Sequence, residues 1–379
     1  MNSTQKQFSL NRAASRKQFP ISKVLVTGGC GFVGRHLIKR LSREAGNEIW
    51  VIDDLSIGRH PATWESPVAT LSRVQPYRHA MTFDLAQSNS TLVFINADFQ
   101  SVALSELDRQ PQLGVPRLPQ FDEAYHLASV VGGRAIIEGD PLAVGIDLAI
   151  DSSFYLWASK VNRPKRILYA SSSAAYPVGL QADGGHVALQ ESMIDFGEGV
   201  KQPDLSYGWS KLTGEYLSRL AVQNYGLSVA VVRPFSGYGE DQDVSYPVPA
   251  IAMRVAARRN PVQVWGSGLQ GRDFVHIDDA VEACTLACRG IHDGSAVNIG
   301  SGVLTSFRDL AALMVELEGY KATVRPTEDR PVGVAQRYCD PTLMRKVLGW
   351  TPAISLADGM SRVLAHAHVR LAAGLQPSE

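Results

Sequence analysis

The sequence predicts an α/β fold, in which a doubly wound parallel sheet is followed by a smaller C-terminal α/β lobe. Two observations favour this fold class. Short apolar, β-branched runs alternate with helical patterns as far as about residue 240, and strands that alternate with helices form parallel sheets. The chain of 379 residues is also long enough to bury two closely joined cores.

The first strand–helix–strand unit is the clearest part of the pattern. Lys23–Thr27 and Glu48–Ile52 are apolar runs typical of buried strands, and Phe32–Leu41 between them has one apolar helical face. Further strands are expected at 92–96, 124–128, 166–170, 228–232, 262–265 and 297–299, and helices at 141–161, 206–225, 277–289 and 306–318. Prolines at 111, 116 and 119 predict a loop over residues 100–120.

Composition excludes several classes of protein. Acidic and basic residues are equal in number, which disfavours nonspecific binding to nucleic acid. No apolar run approaches the ~20 residues that span a bilayer, so no membrane partner is expected and the protein is predicted to be cytoplasmic. No cysteine has zinc-site spacing, so we predict no metal site, and buried thiols in a reducing compartment. Residues 1–21 lack a secretory signal and favour a disordered tail over an organelle transit peptide.

A glycine-rich turn follows the first strand. Gly28, Gly31 and Gly34 permit positive φ angles and bring backbone N–H groups close to a pyrophosphate, and the helix that starts at Phe32 adds a favourable dipole. A preceding strand and a following helix are the context of a Rossmann-type dinucleotide site. Asp53 lies nineteen residues beyond Gly34, where a carboxylate binds a ribose diol and repels a 2′-phosphate. NAD is therefore predicted over NADP, and a turn-capping role for Asp53 is the alternative.

Further positions complete the predicted cofactor site. Asp98 follows the third strand and is expected either at the adenine edge or in a surface turn. The predicted NAD contacts are Gly28, Gly31, Phe32, Val33, Gly34, Asp53, Asp98 and Lys211. Residues 22–240 are accordingly assigned to an NAD-binding Rossmann domain with an insertion at about 56–120, and residues 241–379 to the C-terminal lobe.

A tyrosine, a lysine and a serine are the candidate catalytic groups. Tyr207 and Lys211 are four residues apart at the start of a predicted helix, and such positions share one helical face. A phenol with an ordinary pKa of ~10 is a poor base at neutral pH, but neighbouring positive charges favour its phenolate form. Ser172, beyond the strand at 166–170, can share a proton with a substrate oxygen. An amphipathic helix face and a polar loop are the alternatives.

These motifs together resemble the extended short-chain dehydrogenase/reductase family. The matching motifs are T-G-G-x-G-F-x-G at 27–34, S-S-x-x-x-Y at 171–176, Y-x-x-x-K at 207–211, R-P-x-x-x-Y-G at 233–239, G-x-G-x-Q-x-R-D-F-V-x-x-x-D at 266–279, N-I-G-S at 298–301 and L-G-W-x-P at 348–352. They follow the family's order from about residue 22 to residue 365, which makes the combination highly specific.

The resemblance implies an NAD-dependent enzyme that acts on a nucleotide-activated sugar. It implies Tyr207 as the base, Lys211 as its helper and Ser172 as the proton-sharing hydroxyl. Arg272 and Arg330 match family arginines that bind the nucleotide diphosphate, a task that suits guanidinium forks.

Three more residues are predicted at the substrate: Ser173, Ser236 and Tyr246. Ser236 stands where the family has an asparagine. The 4,6-dehydratases of the family carry an Asp-Glu pair where this chain has Ser173 and Ala174, and nucleotide-glucuronate decarboxylases carry a glutamate at the position of Ala174. GDP-mannose 3,5-epimerase and GDP-fucose synthase carry a cysteine there, paired with a lysine or histidine downstream, where Tyr246 stands. What remains is chemistry at carbon 4, so we expect an epimerase that works through a 4-keto sugar.

Other functions stay open at this stage. A 3,5-epimerase, a 4-keto reductase, an oxidase-type dehydrogenase and a dehydratase that uses Tyr246 or His186 as an extra base belong to the same family. A non-catalytic NAD-binding sensor is a different class, which the retention of Tyr207 and Lys211 disfavours. The expected partners are a UDP-, GDP- or other nucleotide sugar and a second copy of the chain, paired through the helices at 141–161 and 206–225.

Overall fold

The structure described here is a computed structural model. It describes residues 22–44, 46–64, 70–74, 79–85, 89–110, 112, 114–130, 138–182, 185–327 and 333–377. The predicted tail at 1–21 and the predicted diphosphate ligand Arg330 lie outside the described residues. Among the helices that are described, none has the length and apolar character needed to cross a membrane.

Strands and helices alternate along most of the chain. The strands are β1 (Lys23–Thr27), β2 (Glu48–Asp53), β3 (Thr70–Val74), β4 (Ala80–Asp84), β5 (Thr91–Asn96), β6 (Glu123–His126), β7 (Arg166–Ala170), β8 (Val229–Pro234), β9 (Ser236–Tyr238), β10 (Val262–Trp265), β11 (Gly271–His276), β12 (Asp293–Ile299), β13 (Leu304–Ser306), β14 (Val324–Thr327) and β15 (Gln336–Arg337). The helices are α1 (Phe32–Leu41), α2 (Phe99–Leu107), α3 (Ile146–Trp157), α4 (Leu205–Tyr225), α5 (Pro247–Ala256), α6 (Ile277–Gly290), α7 (Phe307–Leu317), α8 (Thr342–Leu348) and α9 (Leu356–Ala372).

The largest sheet confirms the predicted fold class. Its strand order is β12-β8-β7-β6-β1-β2-β5-β4-β3. The strands from β12 to β5 run parallel, whereas β4 and β3 are antiparallel additions at the edge. Because the strand order reverses direction at β1, the carboxyl ends of β1 and β6 border the crevice where doubly wound sheets bind ligands.

Two apolar layers cover the two faces of this sheet. Leu37 and Ile38 of α1 pack with Cys284 of α6 on one face. Phe154 of α3 and Ala221 of α4 belong to the cluster on the other face. All five side chains are buried, with at most 4% of their surface exposed, so burial of these faces stabilises the helices on the sheet.

The prediction of a loop over residues 100–120 was wrong for residues 100–107, which belong to the helix α2. The sequence signal was present in Asp98, whose carboxylate accepts hydrogen bonds from the N–H groups of Gln100 and Ser101, at 3.2 and 2.9 Å. An aspartate in this position is a favourable N-cap. The edge strands β3 and β4 lie in the same predicted insertion at 56–120.

The second lobe has its own core, and the chain also returns to the large sheet after residue 240. Side chains from α5, α7 and α9 form the core of the lobe. By contrast, α6 packs against the first domain and β12 pairs in parallel with β8. The domain boundary at residue 240 stays a prediction, but the chain passes between the first domain and the second lobe more than once.

Ionic contacts join α1 to the lobe. His36 Nε2 lies 2.8 Å from Asp241 Oδ1, and Arg35 donates to the other oxygen of Asp241 at 2.7 Å. Burial lowers the pKa of His36, but the carboxylates of Asp241 and Asp278 outweigh that effect and raise it. The helix that starts at the glycine-rich turn is thereby held against the C-terminal part of the chain.

Candidate active site

The turn between β1 and α1 depends on glycine for its shape. Gly28 has a φ of +67°, and a Cβ there would lie 2.8 Å from the backbone N and Cα of Ala128. A Cβ at Gly34 would lie 2.5 Å from the Cα of Gly29, so α1 packs directly on the turn. Gly31 is the N-cap of α1 and has no side chain to cap it, and uncapped helix N-termini favour anions. This cradle, which a side chain would fill, fits a dinucleotide pyrophosphate.

Two of the predicted cofactor residues begin α1, and a third is the last residue of β2. Phe32 is half-buried and Val33 is 40% exposed. Asp53 accepts hydrogen bonds from the N–H groups of Cys30 and Leu55, each at 2.9 Å. Burial raises the pKa of Asp53, while these two donors oppose the shift. A carboxylate has four acceptor sites, so Asp53 can accept these two backbone hydrogen bonds and still accept hydrogen bonds from a ribose.

The start of α4 is pressed against the turn that follows β7. Asp204 N donates to the carbonyl oxygen of Ala174 at 3.0 Å. A Cβ at Gly208 would lie 2.4 Å from the same oxygen, so only glycine allows this approach. The contact fixes Tyr207, the neighbour of Gly208, relative to Ser172, which lies two residues before Ala174.

Tyr207 and Lys211 lie together on α4. The Lys211 Nζ is 5.7 Å from the centre of the Tyr207 ring, and Lys211 is only 4% exposed. Burial lowers the pKa of Lys211, but negative charge on Tyr207, Asp151 and Asp147 outweighs it and raises the pKa above its ordinary value. A buried ammonium beside a half-buried phenol is the arrangement that a tyrosine base requires.

The serine run has separate roles along its length. Ser172 is half-buried and its Oγ accepts a hydrogen bond from Ala174 N at 3.1 Å. Ser171 donates to the carboxylate of Glu215, and Glu215 in turn forms a buried ion pair with Arg233 at 2.7 Å. Ser171 therefore anchors the strand end to α4, which leaves the hydroxyl of Ser172 at the turn.

The predicted substrate residues come from three elements. Ser173 is buried in the turn after Ser172. Ser236 on β9 is paired with Phe274 of β11, and Phe274 lies two residues after Arg272 on that strand. Arg272 is half-buried and its guanidinium lies 5.8 Å from the ring of Phe307. The structure thus brings Ser236 and Arg272 to adjoining strands.

Tyr246 and His186 differ in their surroundings. Tyr246 is the N-cap residue of α5. Burial raises the pKa of Tyr246 to about 12, and negative charge on Tyr207 and Asp243 adds to the shift. His186 is exposed.

A cavity of about 450 Å³ adjoins the serine turn at Ala175, between that turn and the segment 192–201.

Sequence analysis missed a buried polar cluster next to Lys211. Asp151 on α3 accepts a hydrogen bond from the Tyr169 hydroxyl at 2.6 Å and lies 3.0 Å from His126 Nε2. Asp147, one turn earlier on α3, accepts from Ser129 Oγ at 2.6 Å. The only signal in the sequence is the spacing of the two aspartates, which places them on one face of a helix. In the described part of the chain, no group of three potential metal-binding side chains comes together.

Curated relatives align with most of the chain. The chain is 28% identical over 344 residues to GDP-mannose 3,5-epimerase 1 of Oryza sativa subsp. japonica, a match that covers 89% of this chain and 79% of that protein. It is 26% identical over 347 residues to the uncharacterized UDP-glucose epimerase YtcB of Bacillus subtilis, covering 91% of this chain and 97% of that protein.

Solved structures share the fold. The UDP-glucose 4-epimerase of Thermotoga maritima, solved with UDP-glucose, superposes with a TM-score of 0.71 at 23% identity, over 93% of this chain and 99% of that one. The UDP-glucuronic acid 4-epimerase of Bacillus cereus, solved with UDP-glucuronic acid and NAD, gives a TM-score of 0.70 at 23% identity, over 91% of this chain and 98% of that one.

The sequence profile of the NAD dependent epimerase/dehydratase family matches residues 24–300. The chain therefore belongs to that family, and it is an NAD-dependent enzyme.

Proposed function

We propose that the protein is a 4-epimerase of a nucleotide-activated sugar. The observation that carries this proposal is the composition of the site: the start of α4, which carries Tyr207 and Lys211, packs on the turn that carries Ser172, and the neighbouring Ala174 offers only a methyl group. An epimerase at carbon 4 needs no further acid or base, whereas removal of water or inversion at carbons 3 and 5 does. Relatives named as UDP-glucose 4-epimerases, in Mycolicibacterium smegmatis among others, support this choice.

The chemistry on this chain is a reversible proton transfer. Tyr207, beside the Lys211 ammonium, takes the proton of the sugar 4-hydroxyl as that carbon is oxidised. Ser172 donates a hydrogen bond to the same oxygen and keeps it in place. After the 4-keto sugar has turned over, Tyr207 returns the proton to the oxygen and the opposite configuration results. The small side chain of Ala174 leaves room for that rotation.

The cofactor site lies at the β1–α1 turn. Gly28, Gly31 and Gly34 would hold the pyrophosphate, Asp53 the adenosine ribose and Lys211 the nicotinamide ribose; Phe32, Val33 and Asp98 complete the proposed contacts. The chemistry that bound NAD supplies is the reversible acceptance of a hydride. On the substrate side, Arg272 and Arg330 would bind the diphosphate, with Ser173, Ser236 and Tyr246 nearer to the sugar.

A 3,5-epimerase is the second candidate. The match to GDP-mannose 3,5-epimerase 1 of rice favours it, and Tyr246 is a second phenol, on which the charge of Tyr207 acts. That reaction moves protons on carbon rather than a hydride alone, so it needs an acid–base pair beyond Tyr207. Solvent deuterium separates the two reactions, because a 3,5-epimerase incorporates deuterium at carbon and a 4-epimerase does not.

The test is an assay with a panel of UDP-, GDP-, dTDP- and CDP-sugars in D₂O, with products identified by NMR. Inversion at carbon 4 alone, without net NADH and without deuterium on carbon, is the expected result. Deuterium at carbons 3 and 5 would establish the second candidate instead. Loss of water or net formation of NADH would overturn both epimerase proposals, and NAD binding without any turnover would favour a sensor.

The cofactor preference gives a direct prediction for Asp53. Asp53→Asn removes the negative charge and, because Cys30 N and Leu55 N donate to different oxygens of Asp53, keeps only one of these two hydrogen bonds. We expect the affinity for NAD to fall about tenfold, and that for NADP to change much less, because a ribose diol loses a charged acceptor. Isothermal titration with both cofactors measures the two effects. Asp54→Asn, at the exposed carboxylate next in sequence, is the control, and an equal loss in both variants would exclude Asp53 as the ribose ligand.

We also propose a homodimer that pairs α3 and α4 with the same helices of a second copy. Exposed apolar side chains lie along both helices: Ile146, Leu148, Leu156, Leu205, Trp209, Tyr216 and Tyr225. Exposed apolar side chains along two neighbouring helices are a feature of protein interfaces. Light scattering is expected to give twice the chain mass of 41.1 kDa; a monomer at micromolar concentration would contradict the proposal.

A further inference from the structure

Two carboxylates on α3 lie at the buried side of the active site. Asp147 and Asp151 are four residues apart and both are 0% exposed. Buried carboxylates are costly unless they are paired or hydrogen-bonded. Asp151 is bonded to Tyr169 and His126, and none of these three residues has a part in the chemistry described above.

The contacts of His126 extend to the glycine-rich turn. Thr27, the last residue of β1, lies 2.7 Å from His126 Nδ1 through its hydroxyl oxygen. The same oxygen accepts hydrogen bonds from the N–H groups of Leu127 and Ala128, each at 3.2 Å. Since both of its lone pairs are used in this way, the Thr27 hydroxyl donates its proton to His126 Nδ1. This assigns the ring proton of His126 to Nε2, which donates to Asp151. A continuous chain of hydrogen bonds therefore joins Asp151 to the residue before Gly28.

The other arm of the cluster reaches α4. A Cβ at Gly214 would lie 1.9 Å from the Tyr169 hydroxyl and 2.6 Å from Asp151 Oδ2. Gly214 follows Lys211 by three residues and so shares its helical face. The Lys211 Nζ lies 5.6 Å from the centre of the Tyr169 ring. Asp151 and Tyr169 thus pack against the same face of α4 from which Lys211 extends.

We propose that Asp151 is a positioning residue, which holds the Lys211 ammonium beside Tyr207 by its charge and links that pair to the cofactor turn through His126 and Thr27. The inference rests on the proposed function, because it concerns the same site. Asp151 touches neither substrate nor cofactor in this scheme, and it acts through Lys211.

The electrostatics agree with the geometry. The titratable groups that face Lys211 within the described residues are Tyr207 on its own helix, Tyr169 on β7, and Asp147 and Asp151 on α3. Burial alone would lower the pKa of Lys211, and negative charge on Tyr207, Asp151 and Asp147 reverses that direction. Removal of the Asp151 charge takes away one of the effects that oppose burial, so the pKa of Lys211 should fall.

The experiment measures the titration of Lys211 directly. The protein is labelled with ε-¹³C-lysine, and the Lys211 signal is assigned by its loss in Lys211→Met. We expect the pKa of Lys211 to fall by about one unit in Asp151→Asn and in Asp151→Ser, the size of shift that one nearby charge produces. Glu123→Gln is the matched control, because Glu123 is also a buried carboxylate that accepts from a tyrosine hydroxyl, at 2.9 Å from Tyr125 OH.

A second measurement follows turnover. In the Asp151 variants the kcat at pH 10, relative to that at pH 8, is expected to fall about two- to threefold below the wild-type ratio, with no such change in Glu123→Gln. An unchanged Lys211 titration in a folded Asp151 variant would overturn the proposal. Failure of both Asp151 variants to fold, with Glu123→Gln folded, would assign Asp151 to the fold alone and also overturn it. The NMR titration needs no substrate, so its outcome is separate from that of the proposed function.

Discussion

Tyr207→Phe is expected to lower kcat by about a thousandfold or more, with little change in the affinity for NAD. Phenylalanine keeps the ring that lies 5.7 Å from Lys211 Nζ and removes only the hydroxyl that receives the substrate proton. General acid–base catalysis contributes about 10²–10⁴-fold to such reactions, and here the same group acts in both directions of the proton transfer. The measurement is product formation by NMR with the sugar that the wild type turns over, together with titration of NAD.

Tyr216→Phe is the matched control, because Tyr216 lies on the same helix and is 46% exposed. The substitution removes only a hydroxyl and keeps the ring at the proposed dimer surface, so kcat should stay within about twofold of the wild type. Retained activity in Tyr207→Phe would contradict the assignment of the base. Tyr246, the second phenol, would then be the first alternative, and Tyr246→Phe would decide between them.

The residues that sequence analysis identified most readily share one property, which is that local geometry fixes them. Tyr207 and Lys211 are four residues apart on a helix, so their proximity follows from helical periodicity alone. The glycine turn and Asp53 follow the ends of adjacent parallel strands, and such ends meet at one edge of a sheet. Sequence patterns of this kind were enough to predict the fold class and the place of the cofactor.

The edge of the sheet could not be predicted in the same way. The strands β3 and β4 lie between prolines in a segment without clear alternation, and their antiparallel pairing depends on β5 as a template. The prolines at 111, 116 and 119 disfavour a helix only near their own positions, and α2 ends before them, with Asp98 as the cap of its start. Tertiary contacts decide such segments, because local propensity is only a weak guide.

The cluster around Asp151 was invisible in the sequence for a different reason. His126, Asp151 and Tyr169 come from three elements, and 25 and 18 residues separate the bonded pairs. No local pattern brings them together, and only the parallel pairing of β6 with β7 and the packing of α3 do so. Residues that do not touch the substrate can still orient the groups that react, in the way that hydrogen bonds from neighbouring residues orient metal ligands.

Gly208 offers the sharpest test of how this packing serves catalysis. In Gly208→Ala the new methyl group would lie 2.4 Å from the carbonyl oxygen of Ala174, well inside van der Waals contact, and the obstacle is backbone that cannot rotate away. The start of α4 must therefore move, and Tyr207 moves with it relative to Ser172. We expect kcat to fall about a hundredfold, since a misplacement of about 1 Å costs that much. Stability should fall by about 1–3 kcal/mol, as for other overpacked sites.

Gly290→Ala, in which the new Cβ meets nothing within 4 Å, is the matched control and should leave both quantities unchanged. The fall in kcat should exceed any change in NAD affinity, because the glycine cradle at β1 is remote in sequence from the shifted helix start. Measurement of kcat, NAD affinity and the melting temperature separates these effects. If Gly208→Ala loses stability but keeps its kcat, the approach of α4 to Ala174 serves only the fold, and the alignment of Tyr207 with Ser172 must depend on other contacts of α4, such as the bond between Asp204 and Arg337 at 2.6 Å.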